Sequence, residues 1–492
     1  MNHTLIFNVS ENRTGRARQL GAYRMAHWLR VHDWDAEVIE WASLWSYEEL
    51  TQLATTRITS DTKFIGFSFL FDQWTPTLEK FAFWIKATYP HVAIISGSST
   101  YPLENSPVDY HISGFGEKAL QVLLKYLFSN GEAPKYKKFG DISVIDGKNY
   151  PAYPMTEYSV HYEDRDFLNP WEIICIETGR GCIFKCLFCA HPVLGVKTDH
   201  SASAESFERQ LKDNYYRWGI KNYVLSEETF NDRQDKIKKF AGVVNSLDFD
   251  PWFTGFVRLD LVISRPDDKK LLEDMHVFGQ FYGIESFNPQ TAKAFKKGMP
   301  PEKIKDGLLE VKDYYSKSGK YRGTSSFILG GPHEPVQSMY DTLNWLTDNW
   351  SDQAVSFYPL GIPIGKNNRP SELSDNYEKY GYKELDLTRY HNHPKINDMK
   401  DKGSGWLLWE NEYLDIVEAQ NIYQDYANVV EQYEFKMDNF MLSRYTGENS
   451  TVEDKLTYTI NDSLGTKGHE WIGDVIKIQA DYIRKKINWG LL

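Results

Sequence analysis

The sequence has only four cysteines in 492 residues, too few for a disulfide framework, which excludes the small stapled folds of secreted proteins. It has no apolar run near the roughly 18 residues that would read as a membrane span. Met1-Asn-His-Thr-Leu-Ile-Phe7 also lacks the basic region and cleavage site of a secretory signal. The expectation is a soluble, cytoplasmic protein with no membrane partner. Positive charge is short as well: 56 Lys and Arg against 68 Asp and Glu leave a formal charge of −12. Broad attachment to nucleic acid shows as a basic domain or stripe, so a small-molecule or peptide substrate is expected instead. No internal repeat or low-complexity segment is present.

What the sequence does have is 41% hydrophobic and 15% aromatic residues, enough to bury sizeable cores in about two to four domains at this length. It also gathers three of its cysteines in one stretch, Thr178-Gly-Arg-Gly-Cys182-Ile-Phe-Lys-Cys186-Leu-Phe-Cys189-Ala-His191. Offsets of four and three let the sulfurs turn toward a common point. A cubane iron–sulfur cluster normally takes four thiolates, so a claw of three leaves one iron with open positions for something that is not protein. Two other readings stand beside this one. Cys182, Cys186, Cys189 and His191 make the three-Cys, one-His set of a closed zinc site, and free cysteine is also simply a small core hydrophobe. The fourth, Cys175, lies in the apolar run Glu172-Ile-Ile-Cys175-Ile176 and reads as a buried strand residue.

The spacing C-x-x-x-C-x-x-C, with aromatic Phe188 just before the last cysteine, resembles the radical S-adenosylmethionine (SAM) superfamily. The resemblance implies a [4Fe-4S] cluster on Cys182, Cys186 and Cys189, with Phe188 beside the cofactor and SAM chelating the open iron through its amino and carboxylate groups. It also implies reductive cleavage of SAM to a 5′-deoxyadenosyl radical that takes hydrogen from a substrate. An electron donor such as flavodoxin or ferredoxin follows from that chemistry. No second cysteine cluster exists, which removes the auxiliary-cluster families, methylthiotransferases among them.

Residues 1–135 alternate strand and helix signals. Strand candidates are Thr4–Val9, Ala36–Trp41, Phe64–Leu70, Val92–Ile95 and Asp109–Ile112, and Thr75–Thr88 has the clearest helical period through Leu78, Phe81, Ala82 and Ile85. Such alternation predicts a doubly wound parallel sheet, Rossmann-like, whose ligand sits at the carboxyl ends of the strands. Ser68 and Leu70 after the third strand, Gly97 and Ser98 after the fourth, and Gly114-Phe-Gly116-Glu117 opening the last helix resemble the cobalamin-binding domain that precedes many radical SAM modules. In that family such small residues line the tunnel for the nucleotide tail, and glycine lets backbone approach a ligand closely. The loop after the first strand, Ser10-Glu-Asn-Arg13-Thr-Gly15, offers no Asp-x-His-x-x-Gly and hence no histidine to cobalt, as in several methyl-transferring members. The alternative is an empty domain serving as a lid or dimer surface.

Residues 136–171, with the turn Asp146-Gly147 and Pro151, Pro154 and Pro170, read as a linker. Six strand-like segments follow near 172–177, 222–226, 252–260, 280–285, 323–330 and 354–361, and over 172–365 they resemble the partial (β/α)6 barrel of radical SAM enzymes. Strand ends of a parallel barrel face its site. There the resemblance implies SAM contacts at Ser226, Glu227 and Glu228, with either glutamate able to accept from the SAM amine. It implies others at Glu285 and Ser286 of a Gly-x-Glu-Ser pattern, and at Gly331 and Glu334 of a Gly-x-Ile-x-Gly-x-x-Glu pattern in which Phe327 replaces the first glycine. Arg258 and Asp260, two apart on the third strand, are expected to share a face, with Arg258 counted toward SAM. Residues 366–492 read as a mainly helical C-terminal domain, with a helix through Trp406, Trp409, Tyr413 and Ile416 packed on the barrel. The whole is expected to be an α/β radical SAM enzyme, a cobalamin-dependent methyltransferase acting at an unactivated carbon. The alternatives are radical rearrangement, ring formation or oxidation without cobalamin, or a non-catalytic metal or redox-sensing protein.

Overall fold

The computed structural model describes residues 2–9, 17–69, 74–98, 102, 105–151, 154–155, 159–168, 170, 172–190, 200–364, 371–390, 396, 406–433, 481 and 483–487. The chain falls into two compact units: Met1–Ile176 with Glu205–Lys221 and His469–Leu492, and Glu177–Ala204 with Asn222–Gly468. Among the described residues no helix is long and apolar enough to cross a membrane.

The first unit is built on β1 (Asn2–Val9), whose residues from His3 onward are all buried. A strand covered on both faces reads as continuous apolar sequence, and Leu5, Ile6, Phe7 and Val9 supply it. After the short β2 (Ala17–Arg18) come α1 (Leu20–Arg30), β3 (Trp34–Ile39), α2 (Tyr47–Arg57), β4 (Thr62–Phe69), α3 (Pro76–Thr88), β5 (Ala93–Ser98), β6 (Tyr110–Ser113) and α4 (Glu117–Phe128). Two strands, β7 (Lys137–Phe139) and β8 (Ile142–Asp146), complete a sheet of order β3-β1-β4-β5-β6-β8-β7, parallel except for the β7–β8 edge. The order reverses between β1 and β4, the switch point at which a doubly wound sheet opens a crevice beyond its strand ends. Local chemistry sets the helix starts. Ser46 and Glu49 form a reciprocal capping box on α2, and Thr75 caps α3 with Pro76 in its first turn, each cap contributing about 1 kcal/mol. β9 (Ile173–Ile176) pairs in parallel with β2, and α5 (Ala204–Trp218) follows later in the chain.

In the second unit the short β10 (Gly179–Arg180) and β11 (His200–Ser201) pair antiparallel. Then β12 (Asn222–Leu225), β13 (Trp252–Phe256), β14 (Val277–Glu285), β15 (Arg322–Leu329) and β16 (Ala354–Pro359) pair in sequence order, all parallel. Between them lie α6 (Gln234–Ser246), α7 (Leu259–Ser264), α8 (Asp267–Asp274), α9 (Pro289–Ala294), α10 (Pro301–Ser316) and α11 (Val336–Asn349). The helix-facing side of the strands is shown by Tyr282, buried against Tyr321, which stacks on Tyr315 of α10. β9 and β12 to β16 stand where the six strand segments were expected, so the chain is α/β with a doubly wound domain and a partial barrel.

Three expectations need correction. The stretch 136–171 is not plain linker, since β7 and β8 extend the first sheet and Val160, Tyr162, Asp166 and Leu168 are buried. The turn and the prolines hid these strands, and β7 at the sheet edge carries Lys137 and Lys138, the kind of residue with which an edge strand blocks further pairing. The third barrel strand stops at Phe256, and Arg258 is the N-cap of α7. Finally, Trp406 to Tyr413 is not helix. Trp406 bridges Pro363, and β18 (Trp409–Glu410) pairs with β17 (Lys383–Glu384). The helix Ile416–Gln432 begins only after them. Trp409 is buried with its indole N–H on the Leu360 carbonyl, so β pairing and a buried hydrogen bond override the helical spacing. Most of the expected C-terminal helical domain lies outside the described residues.

Candidate active site

The three-cysteine loop is braced at its base. Arg180, buried, makes a two-pronged ion pair with Glu177, Nε to Oε1 at 2.7 Å and Nη2 to Oε2 at 3.1 Å. Gly181 then turns the chain with φ of 99°, a conformation that a side chain disfavours. Leu187, fully buried, pins the loop from both sides: its N–H donates to the Phe295 carbonyl at 3.4 Å and its carbonyl accepts from Leu373 N at 3.0 Å. Leu373 lies in α12 (Glu372–Asp375). The Cys189 N–H donates to the Cys186 carbonyl at 3.2 Å, a tight turn joining the last two cysteines. Phe188 packs edge-on against Phe295 at 5.3 Å, with the Lys297 ammonium 5.9 Å from its centroid.

All three cysteines are half-buried, so their sulfurs are neither locked in the core nor free on the surface. Cys182 Sγ lies 3.7 Å from Thr229 Oγ1, and Cys186 Sγ accepts from Arg258 Nη1 at 3.7 Å. Burial pushes the Cys182 thiol up, and the Glu228 charge adds to the shift. Among the described residues no group of three or more His, Cys, Asp or Glu could hold a single metal ion. A cubane makes a different demand, one thiolate for each of three irons, and three half-buried sulfurs on one pinned loop fit it as a donor set. His191 lies outside the described residues.

The strand ends around the loop divide into buried residues and exposed ones. After β12, Glu227 is buried, receives the Thr178 hydroxyl, and pairs with Lys236 Nζ at 2.7 Å. Burial pushes its carboxyl up and Lys236 draws it back. Its neighbours Ser226 and Glu228 are exposed. Lys236, itself buried, also pairs with Asp232 at 2.5 Å. Sequence reasoning missed this lysine, although the acid four residues before it on a helix start was a usable signal.

After β13, Arg258 and Asp260 do meet, not across a strand face but as a two-pronged ion pair over the first turn of α7, at 3.0 and 2.6 Å. After β14, Glu285 adopts a left-handed φ of 73° and pairs with Lys297 at 3.1 Å. Lys297 also donates to the Gly283 carbonyl at 2.7 Å. A Cβ at Gly283 would stand 2.5 Å from Glu285 Oε1, so glycine there makes room for the carboxylate. Non-glycine backbone in this region is strained and clusters at functional sites. Ser286 donates to Glu334, whose Oε2 accepts from Gly331 N at 3.0 Å. Burial pushes Glu334 up to about 7. Phe327 packs edge-on to Phe287 at 5.0 Å, and Phe287 in turn meets Trp345 of α11. A cleft lined by Arg258, Asp260, Gly283, Ser286, Lys297 and Met299 opens among these residues.

In the first unit, Ser68, Gly97, Ser98 and Gly114 stand half-buried at the carboxyl ends of β4, β5 and β6. Gly114 has φ of 82°. Gly116 caps α4, and Glu117, buried, pairs with Arg24 at 2.9 Å. Among the described residues, a Cβ at Gly97 would meet nothing closer than the Ile112 carbonyl at 3.8 Å, which is room for a ligand's close approach. Leu70 and the loop after β1 lie outside the described residues.

Fold and loop define a class first: a parallel partial barrel carrying a three-thiolate loop at its strand ends, with a doubly wound domain before it in the chain. The family model of the Radical SAM superfamily matches residues 176–346, and that stretch is a radical SAM domain. Two curated relatives are an uncharacterised methyltransferase of Pyrococcus horikoshii, 22% identical over 48% of this chain and 52% of its own, and a putative methylthiotransferase of Methanocaldococcus jannaschii, 28% identical over 54% and 59%. The chain thus spans little more than half the length of these relatives. The second name contrasts with a chain whose one cysteine outside the loop, Cys175, is buried in β9.

Among solved structures, the radical SAM methyltransferase TsrM of Kitasatospora setae, with cobalamin and a [4Fe-4S] cluster bound, superposes with a TM-score of 0.67 over 99% of both chains at 12% identity. The cobalamin-dependent SAM radical enzyme OxsB superposes with a TM-score of 0.57 over 98% of this chain and 72% of its own at 13% identity. At these identities the likeness is one of fold.

Proposed function

We propose that the protein is a radical SAM enzyme that uses a cluster on Cys182, Cys186 and Cys189, with cobalamin as methyl carrier, to methylate an unactivated carbon of a small molecule. The observation that carries this reading is the pinned loop of three half-buried thiols beside Thr229 and Arg258. When bound, the cluster and SAM supply an electron and a cleavable sulfonium bond, and cobalamin supplies a transferable methyl group. The chain's own residues hold and orient. The three thiolates hold the irons, and Ser226 and Glu228, exposed at the end of β12, take the SAM amino group. Glu227 is set aside by Lys236 and Thr178. Glu285 holds the cleft residue Lys297, Glu334 with Gly331 holds the cleft residue Ser286, and Phe188 packs beside the cofactor. Ser68, Gly97, Ser98, Gly114 and Gly116 leave room for the cobalamin tail, while Glu117 fixes α4 through Arg24.

TsrM has been solved with tryptophan as substrate and a SAM analogue bound, which supports a small substrate here. A low-potential electron donor and a reducing, cytoplasmic setting complete the reading. The test is to reconstitute the protein anaerobically with iron and sulfide, reduce it and incubate it with SAM. Release of methionine and 5′-deoxyadenosine, or of methylated product with cobalamin present, is the expected result. Intact SAM with a fully loaded cluster would overturn the reading.

A further inference from the structure

The guanidinium of Arg258 is divided between two partners. Nε and Nη2 are taken by the Asp260 carboxylate at 3.0 and 2.6 Å, and Nη1 points at Cys186 Sγ, 3.7 Å away. Its plane is held by the ring of Phe184, a residue of the same loop, whose centroid lies 3.8 Å from the guanidinium carbon. The backbone beneath is fixed separately: Asn231 receives the Arg258 N–H at 2.8 Å and donates to the Arg258 carbonyl at 3.0 Å. The side chain is therefore aimed by Asp260 and Phe184, while the loop that bears it does not depend on it for its path.

We infer that Arg258 tunes the reduction potential of the cluster by holding a permanent positive charge and a hydrogen-bond donor against the Cys186 thiolate. The inference rests on the cluster reading above and assigns Arg258 a role other than a SAM contact. Reduction adds one electron from a low-potential donor to the cluster and its thiolates, and a donor and cation at one sulfur stabilise the added charge. Arginine suits the task because its charge is permanent and its planar fork can serve carboxylate and sulfur together. Asp260 aims the fork and at the same time offsets part of its charge, so the two residues act in opposite directions on the potential.

The test is a mediated redox titration, followed by visible and paramagnetic-resonance spectra, of the reconstituted protein and its variants. Arg258→Gln should keep its iron and shift the midpoint downward, lowering the ratio of reduced to oxidised cluster at a fixed poise about tenfold, or about 59 mV for one electron. Arg258→Lys should restore part of the shift. Asp260→Asn should move the midpoint the other way, an opposition that mere loosening of the loop would not produce. Unchanged midpoints in Arg258→Gln and Asp260→Asn with full iron content would overturn the inference while leaving the cluster reading intact. If Arg258→Gln loses iron, Asp260→Asn decides, and an unchanged midpoint there overturns it as well. A wild-type protein that takes up no iron would remove the cluster reading and the inference together.

Discussion

At the carboxyl ends of the first unit's strands stand Ser68, Gly97, Ser98 and Gly114, half-buried and nearly without side chain. The second unit's strand ends carry acid–base pairs instead: Glu227 with Lys236, Arg258 with Asp260 and Glu285 with Lys297. Apart from the β7–β8 edge both are parallel α/β sheets, a kind that takes ligands at the carboxyl ends of its strands. The contrast teaches what each end is built to receive. Small residues leave volume, which suits a large cofactor tail recognised by shape. Paired charges hold polar groups at fixed positions around a loop of thiols, which suits a small charged ligand and a cluster.

The sharpest way to break the comparison is to fill the first end. Gly97→Trp places a large ring where, among the described residues, a Cβ meets nothing closer than 3.8 Å, so folding should survive and retention of hydroxocobalamin after desalting should be lost entirely. Full retention would show that the small residues serve something else.

Next in size is the buried lysine of the second end. Lys236→Met leaves Glu227 and Asp232 without their cation, and breaking a buried pair from one side costs about 3–5 kcal/mol. An unfolding free energy from urea denaturation within about 1 kcal/mol of wild type would contradict the account of Glu227 as a braced, structural carboxylate.

The smallest effect belongs to Glu334, pushed by burial to about 7 from an ordinary 4.5. A carboxyl raised in the folded state keeps its proton when the unfolded chain releases it, so stability falls as pH rises from about 4.5 to about 7 and then levels. The loss amounts to about 3 kcal/mol. Relative to Glu334→Gln, whose amide does not titrate, wild type should therefore lose stability over that window in thermal unfolding. A constant difference between the two across pH would show that burial does not raise the Glu334 carboxyl above its unfolded value.

Much of this architecture was legible because periodicity and strand ends follow from local sequence. Thr4–Val9 and Phe64–Leu70 are apolar enough to be read as strands of a parallel sheet, and the cysteine spacing is itself the feature that resembles the radical SAM motif. The illegible parts depended on partners far away in sequence. Trp409 has helical spacing to its neighbours, but its indole finds the Leu360 carbonyl and its backbone pairs with Lys383–Glu384. Glu227 and Glu228 are indistinguishable as letters, and only burial against Lys236 and Thr178 separates the braced Glu227 from the exposed Glu228. Arg258 and Asp260 met as expected, although the strand that was to align them ends at Phe256 and a helix turn does so instead.

The most direct measurement is the iron and sulfide content of anaerobically reconstituted protein, wild type against the variant with Cys182, Cys186 and Cys189 all replaced by alanine. The account predicts about four irons and four sulfides per chain in the first, as a cubane requires, and none in the second. Stoichiometric zinc without iron in the wild type, or iron retained by the alanine variant, would contradict it.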